Sequence, residues 1–363
     1  MKLPRLLKVE NMQICAADKV IIPDLSFSLK KGELVALLGP EKSGKTTVLR
    51  AIAGLLPITQ GKIVLKGEHI SAPDYRLPPH KRSCSIIYKQ PSLFEHMSIQ
   101  ENIALTVRQL SRRNQKLVVK QMLNLVDLPQ QKNIYPQDLS PENLQRAALA
   151  TALAPEPTLL LWDEPFSQLG VEHRLEFAQE VHEILQEERV TTLITSTDEH
   201  DAYAVAEQAG VINEGELQQW DTPYNLYHTP KTRFVAQFVG RGVLLKSLIH
   251  DNNTVISELG MLKLDESQTD NVGVHFDILV RPDDIIHSPR GPQKATVVGK
   301  AFLGAQTLYS LELSSGDRIL ALFSSHVDLG LGKSLAFKVE MDHLIAFPKT
   351  SRTAIELGAA HSI

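Results

Sequence analysis

Leu34-Val35-Ala36-Leu37-Leu38-Gly39-Pro40-Glu41-Lys42-Ser43-Gly44-Lys45-Thr46 is the stretch that decides how this chain is read. Leu34 to Leu38 is a continuous apolar run, the pattern of a short strand buried on both faces. Gly39 interrupts it, and Lys45 to Ala53 then reads as a helix closed by Gly54 and Pro57. Gly39–Thr46 satisfies the Gly-x4-Gly-Lys-Ser/Thr spacing in full. The bare spacing also arises by chance in Gly-rich turns, but here it sits between a buried strand and a helix, the context a phosphate loop requires. Gly39 and Gly44 let the backbone around Pro40, Glu41, Lys42 and Ser43 curl until successive N–H groups face phosphate oxygens. The helix N-terminus, with Thr47 just inside it, adds partial positive charge. Lys45 can reach β- and γ-phosphates, and the Thr46 hydroxyl can ligand Mg2+.

Working outward, a second apolar run at Leu159-Leu160-Leu161-Trp162 ends in Asp163-Glu164-Pro165, and a third is Thr192-Leu193-Ile194-Thr195. Asp163 is placed to hold Mg2+ and Glu164 to polarise an attacking water, a reading that gains force from the phosphate loop upstream. Val171–Arg189 between these runs carries Leu175, Ala178, Val181 and Leu185 at helical spacing, the expected buried face of a surface helix. Buried strands alternating with helices predict an α/β layered sheet, largely parallel. A helical insertion is expected at about 91–155, where Ile103, Leu105, Val107 and Leu110, then Val118, Met122, Leu125 and Val126, recur without a comparable strand run.

Past about Gly240 the texture changes to short β-rich runs: Phe276–Val280, Ala295–Val298, Thr307–Leu313, Arg318–Phe323 and Leu335–Glu340. Ser314-Ser315-Gly316-Asp317 reads as a hairpin turn between two of them. The expected division is therefore 1–240, then a β-rich domain at 241–350, a small barrel or sandwich, then a loose tail at 351–363.

The 363 residues suit two or three domains, and 43% hydrophobic with 22% charged residues is a globular composition. A net charge of −4 gives no basic footprint, so no nucleic-acid partner is expected. Cys15 and Cys84 are too few for a disulfide or zinc framework, and a buried structural thiol is expected of Cys84. Neither a signal peptide nor a run of about eighteen apolar residues is present, so a membrane role requires docking on other subunits. Trp162 and Trp220 read as packing residues, the histidines as solvated or core groups, and Arg112, Arg113 and Lys116 as a solvated helix face.

Taken in order, Leu38–Leu55, Leu93-Phe94-Glu95-His96-Met97-Ser98-Ile99 with Glu101-Asn102-Ile103, Leu160–Leu169, Asn213-Glu214-Gly215-Glu216, Trp220-Asp221-Thr222-Pro223 and Phe234–Gly240 resemble the ATPase subunits of bacterial ABC importers. The resemblance covers nearly the whole chain and is to the subgroup with a C-terminal β-rich regulatory domain. It implies a P-loop ABC-type cassette with a helical subdomain and an OB-like C-terminal β domain. It further implies ATP and Mg2+ as cofactors, transmembrane permease subunits and a second cassette as partners, and a periplasmic solute-binding protein indirectly. The expected location is the cytoplasmic side of the inner membrane, as a peripheral subunit. Leu279-Val280-Arg281-Pro282-Asp283-Asp284 and Val339-Glu340-Met341-Asp342-His343 look most similar to the ferric-iron branch, with sulfate, polyamine and sugar branches nearby.

Five family positions depart, all of them functional. The adenine-stacking aromatic falls near Ala16, a lost contact worth on the order of 1–3 kcal/mol. The glutamine that senses the γ-phosphate aligns with Lys89, although Gln90 is adjacent and a one-residue shift would bring it in. The Leu-Ser-Gly-Gly-Gln signature becomes Leu139-Ser140-Pro141-Glu142-Asn143, which removes an N–H and adds negative charge. The loop aspartate is Gly170, and the switch histidine is Thr197. Phosphoryl transfer depends on positioning and charge stabilisation, so the sequence supports Mg-ATP binding better than fast hydrolysis. Two functions follow: an energy-coupling importer subunit, or a degenerate cassette that binds Mg-ATP, hydrolyses it weakly and acts as a structural or regulatory subunit. A soluble factor in translation or DNA repair is disfavoured by the acidic balance, the single cassette and the β-rich C-terminal part.

Overall fold

A computed structural model describes residues 5–16, 19–264, 273–348 and 353–362. The chain divides into two compact units, Met1–Pro223 and Tyr224–Ile363. In the first, the run Leu34–Leu38 is a strand buried at every position. It is third in a six-stranded sheet ordered 216–221, 208–213, 34–38, 191–196, 159–163, 84–87. All neighbours run parallel except the edge hairpin of 208–213 with 216–221. Register brings the carboxyl ends of the central strands level: Leu38 pairs with Ser196, and Asp163 with Thr195. In an open α/β sheet that edge is where ligands bind.

A second, antiparallel sheet in this unit is ordered 19–30, 5–16, 60–65, 68–72, 75–76. Helix Lys45–Ile52 contributes Val48, Leu49 and Ile52 to one apolar cluster that also takes Leu7, Met12 and Ile22 from this sheet and Leu37 and Leu161 from the other. Arg82, 1% exposed, closes that helix by donating to the carbonyls of Ala51 and Ile52, and also bonds Ile70 O, Leu77 O and Ser71 Oγ. Helices Ile99–Thr106, Arg112–Leu125 and Pro141–Leu153 follow between strands 84–87 and 159–163. Ser98 and Glu101 form a capping box at the first, and Ser111 and Ser140 cap the other two.

One expected core position is wrong. In helix Val171–Glu187, Ala178, Val181 and Leu185 are buried, but Leu175 is 54% exposed. The buried stripe of Phe177, Ala178, Val181, Ile184 and Leu185 is centred on Val181, and at 3.6 residues per turn Leu175 lies about 120° from that residue.

The second unit begins at Tyr224, earlier than the boundary expected at 240. Arg281, 5% exposed, reaches back to the carbonyls of Tyr227 and Ala236, and Arg233 pairs with Asp277 and bonds Phe347 O. These bonds tie the helical segment up to Phe238 to the β strands. The strands form one 12-stranded sheet, more than the five runs expected. Strand Arg318–Ser324 at one end touches 285–287 and 243–251, so the sheet curls over an apolar interior that includes Ile278, Val297, Tyr309 and Phe337. The expected turn at 314–317 joins Gln306–Glu312 to Arg318–Ser324, with Leu313 N–H bonded to Asp317 O. The expected loose tail is not one. Ile355–Glu356 pairs with 345–348, and Ala360–Ser362 lies between 260–264 and 334–341. Residues 349–352 and 363 lie outside the described residues.

Candidate nucleotide-binding site

The phosphate loop forms where strand Leu34–Leu38 ends. Gly39 N–H bonds Ser196 O on the neighbouring strand, and Ser43 O accepts from Gly215 N–H. A Cβ at Gly39 would lie 2.2 Å from Ile212 O, and Gly44 sits at φ +106, so neither position accommodates a side chain without strain. Pro40, Glu41 and Lys42 form the outer rim, Lys42 itself at φ +64. Gly44 is the N-cap of helix Lys45–Ile52, with Thr47 in its first turn. The leading N–H groups of a helix have no acceptor within it, so the amides of Lys45, Thr46 and Thr47 face the loop's mouth.

Lys45 is 4% exposed and donates to the carbonyls of Gly39 and Pro40 at 2.7 and 2.8 Å. Burial holds its ammonium below the usual lysine range, while Glu164, Asp163 and Glu41 pull it back. Ser43 Oγ is buried in the same cradle with no hydrogen-bond partner, a donor that the protein itself leaves unsatisfied. The residues therefore fit a polyphosphate. Thr46 Oγ1 lies 2.9 Å from Asp163 Oδ2, and Thr195 Oγ1 donates to Asp163 Oδ1 at 2.6 Å. Two hard oxygen donors side by side suit Mg2+, which takes few protein ligands and completes its shell with phosphate oxygens and water.

Glu164 is the next residue, held at φ +45 by its N–H bonding both Thr195 O and Thr195 Oγ1. Its carboxylate is occupied: Lys89 Nζ lies 2.6 Å from Glu164 Oε2. The parallel register explains the meeting, since Ile87 pairs with Trp162 and two residues further on Lys89 stands beside Glu164. Lys89 is pushed above the usual lysine range by that hydrogen bond first. Gln90 is exposed, and the one-residue shift that would bring it to the carboxylates is absent, because Lys89 holds the place.

The other departing positions have structural occupations. Ser140 Oγ accepts from Asn143 N–H at 3.2 Å, Pro141 is the first residue of helix Pro141–Leu153, and Glu142 pairs with Arg146 at 2.9 Å. Arg146 also binds Glu180 and covers the Phe177 ring at 5.2 Å, so the charge of Glu142 is already matched within the chain. Gly170 is the N-cap of helix Val171–Glu187 and offers no carboxylate. Thr197 follows strand Thr191–Ser196, and the next residues are fixed by Arg174, which bonds Asp198 at 2.7 Å and faces Asp201 at 3.6 Å. Ala16 is exposed at the end of strand Arg5–Ala16. Cys84, half-buried against the cassette core, has its thiol pushed up to about 12 by burial. Trp220 stacks on Phe27 at 5.0 Å, and Trp162 is fully buried.

Residues 22–167 match the ABC transporter family and residues 278–347 the TOBE domain. The Fe(3+) ions import ATP-binding protein of Fusobacterium nucleatum is 30% identical over 358 residues, covering 96% of this chain and 95% of the relative. The corresponding Fe(3+) protein of Rhizobium meliloti is 33% identical, with 90% and 88% covered. The spermidine/putrescine import ATP-binding protein of Thermotoga maritima is 31% identical, with 88% and 89% covered. Likeness of that extent to ATP-binding subunits, carried on an intact phosphate loop, establishes the membership: this chain belongs to the ABC transporter family, among the ABC-type ATPases with a C-terminal TOBE domain.

Proposed function

We propose that the chain is the energy-coupling subunit of an import system, binding Mg-ATP at Gly39–Thr46 to drive solute uptake through a membrane permease. The observation that carries this is the complete cradle, with its orphan Ser43 hydroxyl and Thr46–Asp163 pair, on a chain similar from end to end to import ATP-binding proteins. Relatives named for Fe(3+) and for spermidine/putrescine support uptake of a cationic solute, with ferric iron as one candidate. No helix among the described residues is long and apolar enough to cross a membrane, so coupling requires docking on other subunits. A groove of about 570 Å³ lined by Gln100, Ala104, Lys116, Val119 and Leu123 in the helical subdomain is the surface we assign to the permease. A second cassette completes the working unit on the cytoplasmic face of the inner membrane, and a periplasmic solute-binding protein delivers the cargo.

In the hydrolytic step a water proton passes to the Glu164 carboxylate as the water oxygen attacks the γ-phosphorus. The bond from that phosphorus to the β–γ bridging oxygen breaks, releasing ADP and phosphate. Thr46 and Asp163 would hold Mg2+, which would supply neutralising charge to the phosphates. Lys45 and the loop amides orient the leaving group, and Glu164 is aimed by its two bonds to Thr195.

A second reading is favoured by the Lys89–Glu164 pair and the signature at Leu139–Asn143: a cassette that holds Mg-ATP, turns it over slowly and serves a structural or regulatory purpose. Pairing with an intact cassette would not simply restore activity. One composite site would lack the switch histidine and the other would contain Pro141-Glu142. The test of the importer reading is to isolate the full chain from its host membrane and identify its companions. A permease and a cassette are expected, with ATP-dependent uptake on reconstitution; a chain that comes away alone and energises no uptake would overturn it.

A further inference from the structure

We propose that Lys89 is a brake on hydrolysis: its ammonium occupies the Glu164 carboxylate that must receive the water proton, so the chain holds ATP while turning it over slowly. The inference rests on the reading of Gly39–Thr46 as the ATP cradle and Glu164 as the group facing the attacking water.

The pair is built into the sheet. Parallel pairing of Cys84–Ile87 with Leu159–Trp162 fixes which residues leave the two strands side by side. Gln145, 1% exposed, then joins them, donating to Lys89 O at 3.3 Å and accepting from Trp162 Nε1 at 3.2 Å. One buried side chain thus fastens the loop that carries Lys89 to the strand that carries Glu164. The partners differ in exposure, the Glu164 side chain at 11% and Lys89 at 48%. Glu164 is fixed from behind by Thr195, whereas Lys89 reaches in along a solvated path. A solvated lysine can be replaced with little cost to the fold, and the change leaves the aim of the carboxylate alone.

The chemical consequence is direct. The Glu164 oxygen that would take the water proton is held by Lys89 Nζ at 2.6 Å, so that contact must open before the carboxylate can serve the water. General-base assistance is worth ~10²–10⁴-fold in rate, and freeing Glu164 is expected to return about tenfold or more of it. Lys89 contacts the base itself and neither the phosphate nor the attacking water in this scheme. It is a positioning residue that acts through Glu164.

The test uses the full-length chain, comparing wild type with Lys89→Gln, Lys89→Met and Lys89→Arg for Mg-ATP affinity, kcat and KM. The account predicts that kcat rises about tenfold or more in the Gln and Met variants, with KM and ATP affinity within about threefold of wild type. Lys89→Arg, which keeps a cation beside the carboxylate, is expected to stay at least about fivefold below Lys89→Gln. Adding Glu164→Gln to Lys89→Gln is expected to remove the gain. Gln and Met variants that bind ATP normally but turn over no faster than wild type would overturn the brake. Wild type and Lys45→Ala that fail alike to bind ATP would overturn the cradle reading, and the brake with it.

Discussion

Ser43 carries a buried hydroxyl that the folded chain leaves without a partner, beside Lys45, whose ammonium bonds two loop carbonyls. Leaving such a group unsatisfied costs on the order of 1–3 kcal/mol, and a phosphate oxygen would remove that penalty. Ser43→Ala is therefore expected to leave the melting temperature unchanged or slightly raised, while weakening ATP binding by about tenfold, the worth of one hydrogen bond to a charged acceptor. Scanning calorimetry with and without ATP checks both halves. A destabilised variant of normal affinity would assign the hydroxyl a structural role instead. At this scale the site was partly legible. Lys45, Thr46 and Asp163 follow from spacing, because a strand, a turn and a helix N-terminus fix their geometry locally. Lys89 against Glu164 does not, because two residues 75 positions apart meet only through the pairing of strands 84–87 and 159–163. The same holds for Thr195, whose hydroxyl supports Asp163 from the next strand.

Continuous apolar runs gave the buried strands of the parallel sheet, because a strand covered on both faces needs no alternation. The antiparallel sheet was not legible. Strands Arg5–Ala16 and Lys19–Lys30 pair through several register shifts, and each bulge breaks the two-residue period that would have marked them. Helix Pro141–Leu153 shows how a departure in function can be favourable locally. Ser140 caps it, Pro141 opens it, and Glu142 both faces the positive helix end and pairs with Arg146. Short strands near the C-terminus are likewise not legible in the sequence, since two or three residues carry no period. They are nonetheless structural: Leu357 and Ala360 are 1% and 2% exposed, and Ala360–Ser362 bonds a strand on each side. Removing residues 353–363 is expected to destabilise the C-terminal unit by at least about 2 kcal/mol, from the lost burial of Leu357 alone. Urea unfolding followed by ATP titration checks this, with the cassette's ATP affinity expected to persist. An unchanged unfolding midpoint would return those residues to the status of a loose tail.

For the whole molecule, composition and motif order pointed to an α/β cassette followed by a β-rich part, and the chain has both. The division falls at Pro223–Tyr224 because Arg233 and Arg281 bind the intervening helical segment to the β strands, contacts that no local pattern announces. In the proposed reading the cassette joins the Gly39–Thr46 cradle to a centre where Glu164, the proposed base, is paired with Lys89, and where the signature, loop aspartate and switch histidine are replaced. Binding ATP is thus the function on which every further step depends. Its most direct test is titration of the full chain and of Lys45→Ala with ATP in magnesium buffer. The account predicts saturable binding that Lys45→Ala weakens at least about tenfold, since the variant loses the buried cation that faces the β- and γ-phosphates. Equal affinity in the two proteins would contradict it.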